Sequence, residues 1–181
     1  MYKRQTLLRQ AEEANEQVVL AGDSAGGNII LCLTLAALLE DPNCRCPTAL
    51  LAISPSTDLR RHNADIKVLE NKDPILTIPF INSTAKAWKA DWDPCDPQIS
   101  PLYADVTPLA RRNVRVHGVV GRYDILSPDA ILFREKCNQA SVHGEWLDWE
   151  KQIHCFPLTF GFKLPEGLEA MKWIVDVLKR S

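Results

Sequence analysis

A chain of 181 residues with 46% hydrophobic content suits one globular domain with a sizeable core. Its formal charge of −2 leaves no basic footprint for nucleic acid, and its longest mainly apolar stretch, Ile29 to Leu39, falls far short of the roughly 20 residues that span a bilayer. The opening Met1-Tyr2-Lys3-Arg4-Gln5 carries positive charge with no apolar segment behind it, which excludes a secretory leader there and gives a cytoplasmic expectation for the chain as written.

From Thr6 to Gln17 the pattern predicts a polar helix, and Val18–Ala21 reads as a short buried strand. The residues that follow are Gly22-Asp23-Ser24-Ala25-Gly26-Gly27, ahead of a long apolar helical pattern over Asn28–Glu40. A bare Gly-x-Ser-x-Gly arises by chance in roughly one chain in twenty of this length. A β-like run before it and a helix after it are the context of a nucleophile elbow, in which a serine is held in strained dihedrals on a sharp strand-to-helix turn. Ser24 is therefore the expected nucleophile. Gly22 and Gly26 are expected to supply the clearance that turn needs, with Gly27 a further small residue. The backbone N–H of Ala25, at the positive end of the helix, is an expected oxyanion donor. An alternative use of such a turn is to bind an anion such as phosphate. The carboxylate of Asp23 beside Ser24 and the lack of a nearby lysine argue against it.

Six cysteines are irregularly spaced, and their one close pair, Cys44-Arg45-Cys46, lacks the spacing of a zinc site. Reduced thiols and no metal are expected, with Cys32 a small core residue. Ala49–Ile53 is the next strand. Residues 54–110 are rich in proline, with turn signals at Asp73-Pro74, Asp93-Pro94 and Asp96-Pro97, and read as a long excursion from the sheet. Within it, a helical pattern over Pro79–Ala90 places Phe80, Ile81, Ala85 and Trp88 on roughly one side. The excursion is expected either to cap the strand ends or to be a surface insertion. Trp88 and Trp92 either line an acyl pocket or pack the excursion onto the sheet.

Val114–Val120 predicts a third strand, Ser127 or Pro128 to Ala140 a helix, Glu145–Trp149 a fourth strand and Glu166–Lys179 a closing helix. Short apolar strands alternating with helices imply an α/β domain with a mostly parallel sheet, helices on both faces, and a ligand site at the carboxyl ends of the strands.

A serine hydroxyl needs a histidine to take its proton, and the histidine needs a carboxylate to fix its tautomer. Of His62, His117, His143 and His154, only His154 occupies a loop at the carboxyl end of a strand and lies downstream of the elbow. Asp124 follows the third strand and precedes His154, which makes it the expected acid. Its rival Asp129 reads as a dipole-complementing residue in a helix start capped by Ser127. Asp58 and Asp105 read as turn or capping residues.

These residues resemble the hormone-sensitive lipase-like group of α/β-hydrolases, the third α/β-hydrolase fold family. The resemblance rests on Gly-Asp-Ser-Ala-Gly-Gly at 22–27, Ile53-Ser54-Pro55 with Asp58, Ile99-Ser100-Pro101-Leu102, Gly121 with Asp124 and Leu126, and His154 with Phe156, and it covers Val18 to about Val177. It implies hydrolysis of a small-molecule carboxylic ester through an acyl-enzyme, with Ser24 as nucleophile, His154 as general base then acid, Asp124 as its orienter, and no cofactor. Cys155 stands where the group usually has glycine. The His-Gly-Gly segment and first strands of such enzymes have no counterpart here, so the resemblance implies a truncated, C-terminal part of one catalytic domain with a partial cap at about 54–110, and weak or absent activity. The strand at Val18 would then be an exposed sheet edge. A non-catalytic hydrolase-fold module that binds a ligand or partner is the alternative.

Overall fold

The structure, a computed structural model, describes residues 2–181; Met1, the first residue of the charged opening segment, lies outside the described residues. Ala49-Leu50-Leu51-Ala52-Ile53 is apolar at every position, as a strand covered on both faces must be, and it forms the buried strand β2. β2 pairs in parallel with β1 (Val19–Asp23) on one side and β3 (Arg115–Gly121) on the other, and β4 (Trp146–Trp149) pairs in parallel with β3. The sheet order β1-β2-β3-β4 leaves β1 at one edge.

Side-chain alternation along the strands sorts the core into two layers. Leu50, Ala52 and Val116 face one layer, which packs beneath the helices α2 (Ala25–Glu40) and α6 (Ser127–Gln139) through Leu31, Leu35, Leu38, Phe133 and Cys137. Leu51, Ile53 and Val119 face the other, closed by Phe156 and by Ala170 and Ile174 of the last helix, α7 (Pro165–Arg180). Helices thus cover both faces of a parallel sheet.

The elements match the sequence reading with shifted ends. The first helix, α1 (Tyr2–Glu13), stops short of Gln17 because Asn15 turns into the left-handed region at φ 55°. β1 runs two residues past Ala21, through Gly22 and Asp23, because both pair with β2. α2 starts at Ala25 and absorbs Gly26 and Gly27. The excursion holds a 3-10 turn at Pro101–Tyr103 and three α-helices, the unforeseen short α3 (Asp65–Leu69) and α5 (Thr107–Arg111) flanking α4 (Ile78–Lys89). α4 begins where the Thr77 hydroxyl accepts the Phe80 N–H and Pro79 occupies the first turn. Asn28, buried in α2, donates its side-chain amide to Ser56 O and Ile99 O at 2.7 Å each, tying both ends of the excursion to the helix behind the elbow. Cys32, Cys44, Cys95, Cys137 and Cys155 are free thiols. Among the described residues no helix is long and apolar enough to cross a membrane.

Candidate active site

Ser24, Asp124 and His154 each lie in the turn beyond the carboxyl end of a strand. Ser24 follows β1 at φ 51°, ψ −114°, a backbone conformation that costs a non-glycine residue on the order of 1–3 kcal/mol. Three backbone bonds hold it there. Its N–H donates to Ile53 O at 2.8 Å, and its carbonyl accepts from Asn28 N and Ser56 N, each at 3.2 Å.

The glycines around Ser24 play unequal parts. A Cβ on Gly22 would lie 2.4 Å from Gly26 C and O, so only glycine lets the strand end approach the helix start. A Cβ on Gly27 would lie 2.9 Å from the Pro55 side chain. A Cβ on Gly26 would meet nothing within 4 Å. The clearance expected of Gly22 and Gly26 therefore belongs to Gly22 and Gly27, because Gly26 contributes its backbone to the close approach. Ala25 is the first residue of α2, where helix N–H groups lack intrahelical partners. Asp23 is exposed, with the Cys155 thiol as its neighbour.

The turn after β4 brings His154 against Ser24, with Nε2 3.0 Å from Ser24 Oγ. On its other side Nδ1 lies 2.9 Å from Asp124 Oδ2. A carboxylate accepts only, so Nδ1 carries a proton, and in the neutral imidazole Nε2 is free to accept from the serine hydroxyl. Asp124 is fully buried in the turn after β3, and its second oxygen accepts the Leu126 N–H at 2.8 Å. Burial pulls the His154 pKa down, but the hydrogen bond to Asp124, with further contributions from Cys155 and from the Asp124 charge, outweighs it and raises the imidazole above its ordinary value.

Three further residues shape the site, and the sequence reading assigned none of them a part in it. Ser54, buried at φ 46° after β2, accepts the Cys155 N–H on Oγ at 3.0 Å and so anchors the loop that carries His154. Cys155 itself adopts φ 52°, which explains why glycine suits that position and why cysteine there is strained without being excluded. Asp73 accepts from Ile75 and Leu76 N–H on Oδ1 and from Ile125 N–H on Oδ2 at 3.1 Å, bracing the turn beside Asp124. Asp73-Pro74 is legible only as a turn; nothing in the sequence pairs it with a backbone amide 52 positions later. Arg61, the third, lines the cavity beside Ser24.

The other acids and histidines lie elsewhere in the fold. Asp129 is buried at the start of α6, accepts from the Asn63 side chain at 2.9 Å, and is pushed up to about 6 by burial. Asp58 pairs with Arg60 and accepts from the Tyr103 hydroxyl at 2.6 Å, and Asp105 accepts from the backbone and side chain of Thr107. His117 bridges Glu145 N and Ser181 Oγ, whereas His62 and His143 are exposed. Among the described residues no group of three or more His, Cys, Asp or Glu side chains is arranged to hold a metal.

A cavity of about 220 Å³ opens beside Ser24, Ala25 and Asn28. Its remaining wall comes mostly from the excursion, through Leu59, Leu76 and the Phe80, Thr84 and Trp88 row of α4. Phe80, Thr84 and Trp88 recur every four residues, with the buried Ile81 and Ala85 one position on, so a single face of the helix lines the cavity. Trp88 is thus a cavity residue, and Trp92 is exposed away from the lining.

Residues 4–158 match the family described as alpha/beta hydrolase fold. An esterase of Acinetobacter venetianus is 33% identical over 173 residues, covering 95% of this chain and 54% of that protein. Hormone-sensitive lipase of Homo sapiens is 34% identical over 73 residues, 40% of this chain and 7% of that protein. The crystal structure of an esterase from the bacterial hormone-sensitive lipase family superimposes with TM-score 0.83 at 25% identity, over 95% of this chain and 57% of that one. The chain spans about half the length of the esterases it matches.

Proposed function

The chain belongs to the α/β-hydrolase fold family, in its hormone-sensitive lipase-like group, and from that premise we propose that it hydrolyses carboxylic esters with Ser24, His154 and Asp124 as a catalytic triad. The observation that carries this reading is the unbroken line of hydrogen bonds from Ser24 Oγ through His154 to Asp124, at 3.0 and 2.9 Å.

Ser24 Oγ attacks the ester carbonyl carbon as its proton passes to His154 Nε2, and Asp124 stabilises the imidazolium that forms. The carbonyl oxygen becomes an oxyanion, stabilised by the Ala25 N–H at the positive end of α2. Collapse of the tetrahedral intermediate breaks the bond to the alcohol oxygen, which leaves with the proton from His154. Water then adds to the acyl-enzyme, giving its proton to Nε2, and the acid is released with Oγ reprotonated. No step requires a cofactor or a metal. A cavity of about 220 Å³ with a mostly apolar wall supports short acyl or alcohol chains, since sites for drug-sized ligands span roughly 300–1,000 Å³.

The test is intact-mass detection of a covalent fluorophosphonate adduct on the 181-residue chain beside a Ser24→Ala control. One adduct, lost in the control, is expected. A folded sample that takes no adduct overturns the triad reading and leaves the non-catalytic module in its place.

A further inference from the structure

The cavity beside Ser24 contains one cationic side chain, that of Arg61, among lining residues that include Leu59, Leu76, Ile81 and Leu126. A guanidinium taken into an apolar wall ordinarily meets a carboxylate, because an unpaired charge there loses hydration without recompense. Arg61 meets none directly. Its Nη1 donates to Asp58 O at 2.9 Å and its Nη2 to Ser56 Oγ at 2.7 Å, both neutral acceptors, while Nε is buried without a hydrogen-bond partner among the described residues. Three carboxylates lie within electrostatic range: Asp58 is engaged by Arg60 and Tyr103, Asp124 by His154 and Leu126 N, and Asp129 by Asn63 through Oδ1, its buried Oδ2 having no hydrogen-bond partner among the described residues. Asp129 acts on Arg61 more strongly than the other two, although burial favours its neutral form. A guanidinium carries five N–H donors, so the two bonds above leave one N–H on each terminal nitrogen. Two such hydrogens form the fork that grips a carboxylate in bidentate fashion.

We infer that Arg61 is an anion subsite of the Ser24 cavity and that the preferred ester carries a carboxylate on the arm that enters it, as a half-ester of a short dicarboxylic acid does. The inference rests on the ester-hydrolase reading and names the substrate class of the same site. Ser56, which shares the Arg61 fork and also lines the cavity, orients the guanidinium toward that arm.

The test compares binding of monoethyl succinate with that of ethyl 4-methylpentanoate, whose isopropyl end has the shape of the carboxylate without its charge. Both are titrated calorimetrically into the full chain bearing Ser24→Ala, which removes turnover. The half-ester is expected to bind at least tenfold more tightly, with a preference that shrinks as salt is added. Arg61→Gln, which can still bond Ser56, should abolish the preference, and Arg61→Lys should retain part of it. Equal binding of the two esters, or a preference that survives in Arg61→Gln, overturns the subsite. These outcomes do not depend on chemistry at Ser24. A missing fluorophosphonate adduct on the unsubstituted chain would overturn the hydrolase reading and leave the subsite result standing.

Discussion

The two inner strands and the two outer strands of the sheet do different work. β2 is buried at all its positions and β3 at all but its first, whereas β1 alternates between half-buried and exposed positions and β4 is half-buried throughout. Yet Ser24, the proposed nucleophile, follows β1 and His154, its proposed base, follows β4. Burial is concentrated in the inner strands, and the proposed nucleophile and base follow the outer ones. The histidine is tied back to the centre, through Asp124 after β3 and Ser54 after β2. Ser24 has the Ile53 carbonyl and the Ser56 N–H on that side and His154 Nε2 at its hydroxyl, and its remaining backbone restraint, the Asn28 N–H, is local to the elbow. A local opening of β1 would therefore uncouple Ser24 from an otherwise intact fold.

The largest effects should come from the site itself. Asp124→Asn is expected to slow fluorophosphonate labelling about 10⁴-fold, as loss of the correct tautomer does in Ser-His-Asp enzymes. A loss under tenfold would remove Asp124 from its role. A comparable loss should follow Gly22→Ala, whose Cβ would sit 2.4 Å from the Gly26 backbone, while Gly26→Ala, with nothing within 4 Å, should label at close to the native rate. Equal damage from both glycine variants would contradict the asymmetry of the elbow.

Smaller, and aimed at the contrast between inner and outer strands, is a pair of truncations read by urea denaturation. Leu50→Ala in the fully buried β2 should cost about 2–5 kcal/mol, and Val19→Ala on the edge about 1 kcal/mol or less. If the two cost the same, the centre does not dominate stability.

The smallest effect is the pH response of the edge-to-centre link. His154 has a folded pKa raised above its unfolded value of about 6.5, so the stability it contributes is fully present below about pH 6.5 and is lost as pH rises through the folded value. The neutral imidazole that accepts the Ser24 proton grows over the same range. Labelling should therefore climb with pH along a limb centred above 6.5 while the unfolding midpoint declines, and Asp124→Asn should move that limb down. A limb at or below 6.5 would mean that Asp124 does not govern His154.

Much of this molecule was legible before any coordinates. The elbow, the alternation of strand and helix, and the order Ser24, Asp124, His154 are written in short segments, because strained turns and buried strands are governed by sterics and hydrophobic pattern over a few neighbouring residues. Tertiary structure alone decided the rest. It assigned the clearance to Gly22 and Gly27, made Ser54 the anchor of the histidine loop, and joined Asp73 to an amide in the Asp124 turn. It also placed Arg61 and one stripe of α4 on the serine's cavity. Each of these depends on which backbone amide, carbonyl or Cβ lies across a gap of a few ångströms from a residue distant in sequence. Hydrogen-bond and packing forces act at that range only after the sheet has brought the strand ends together.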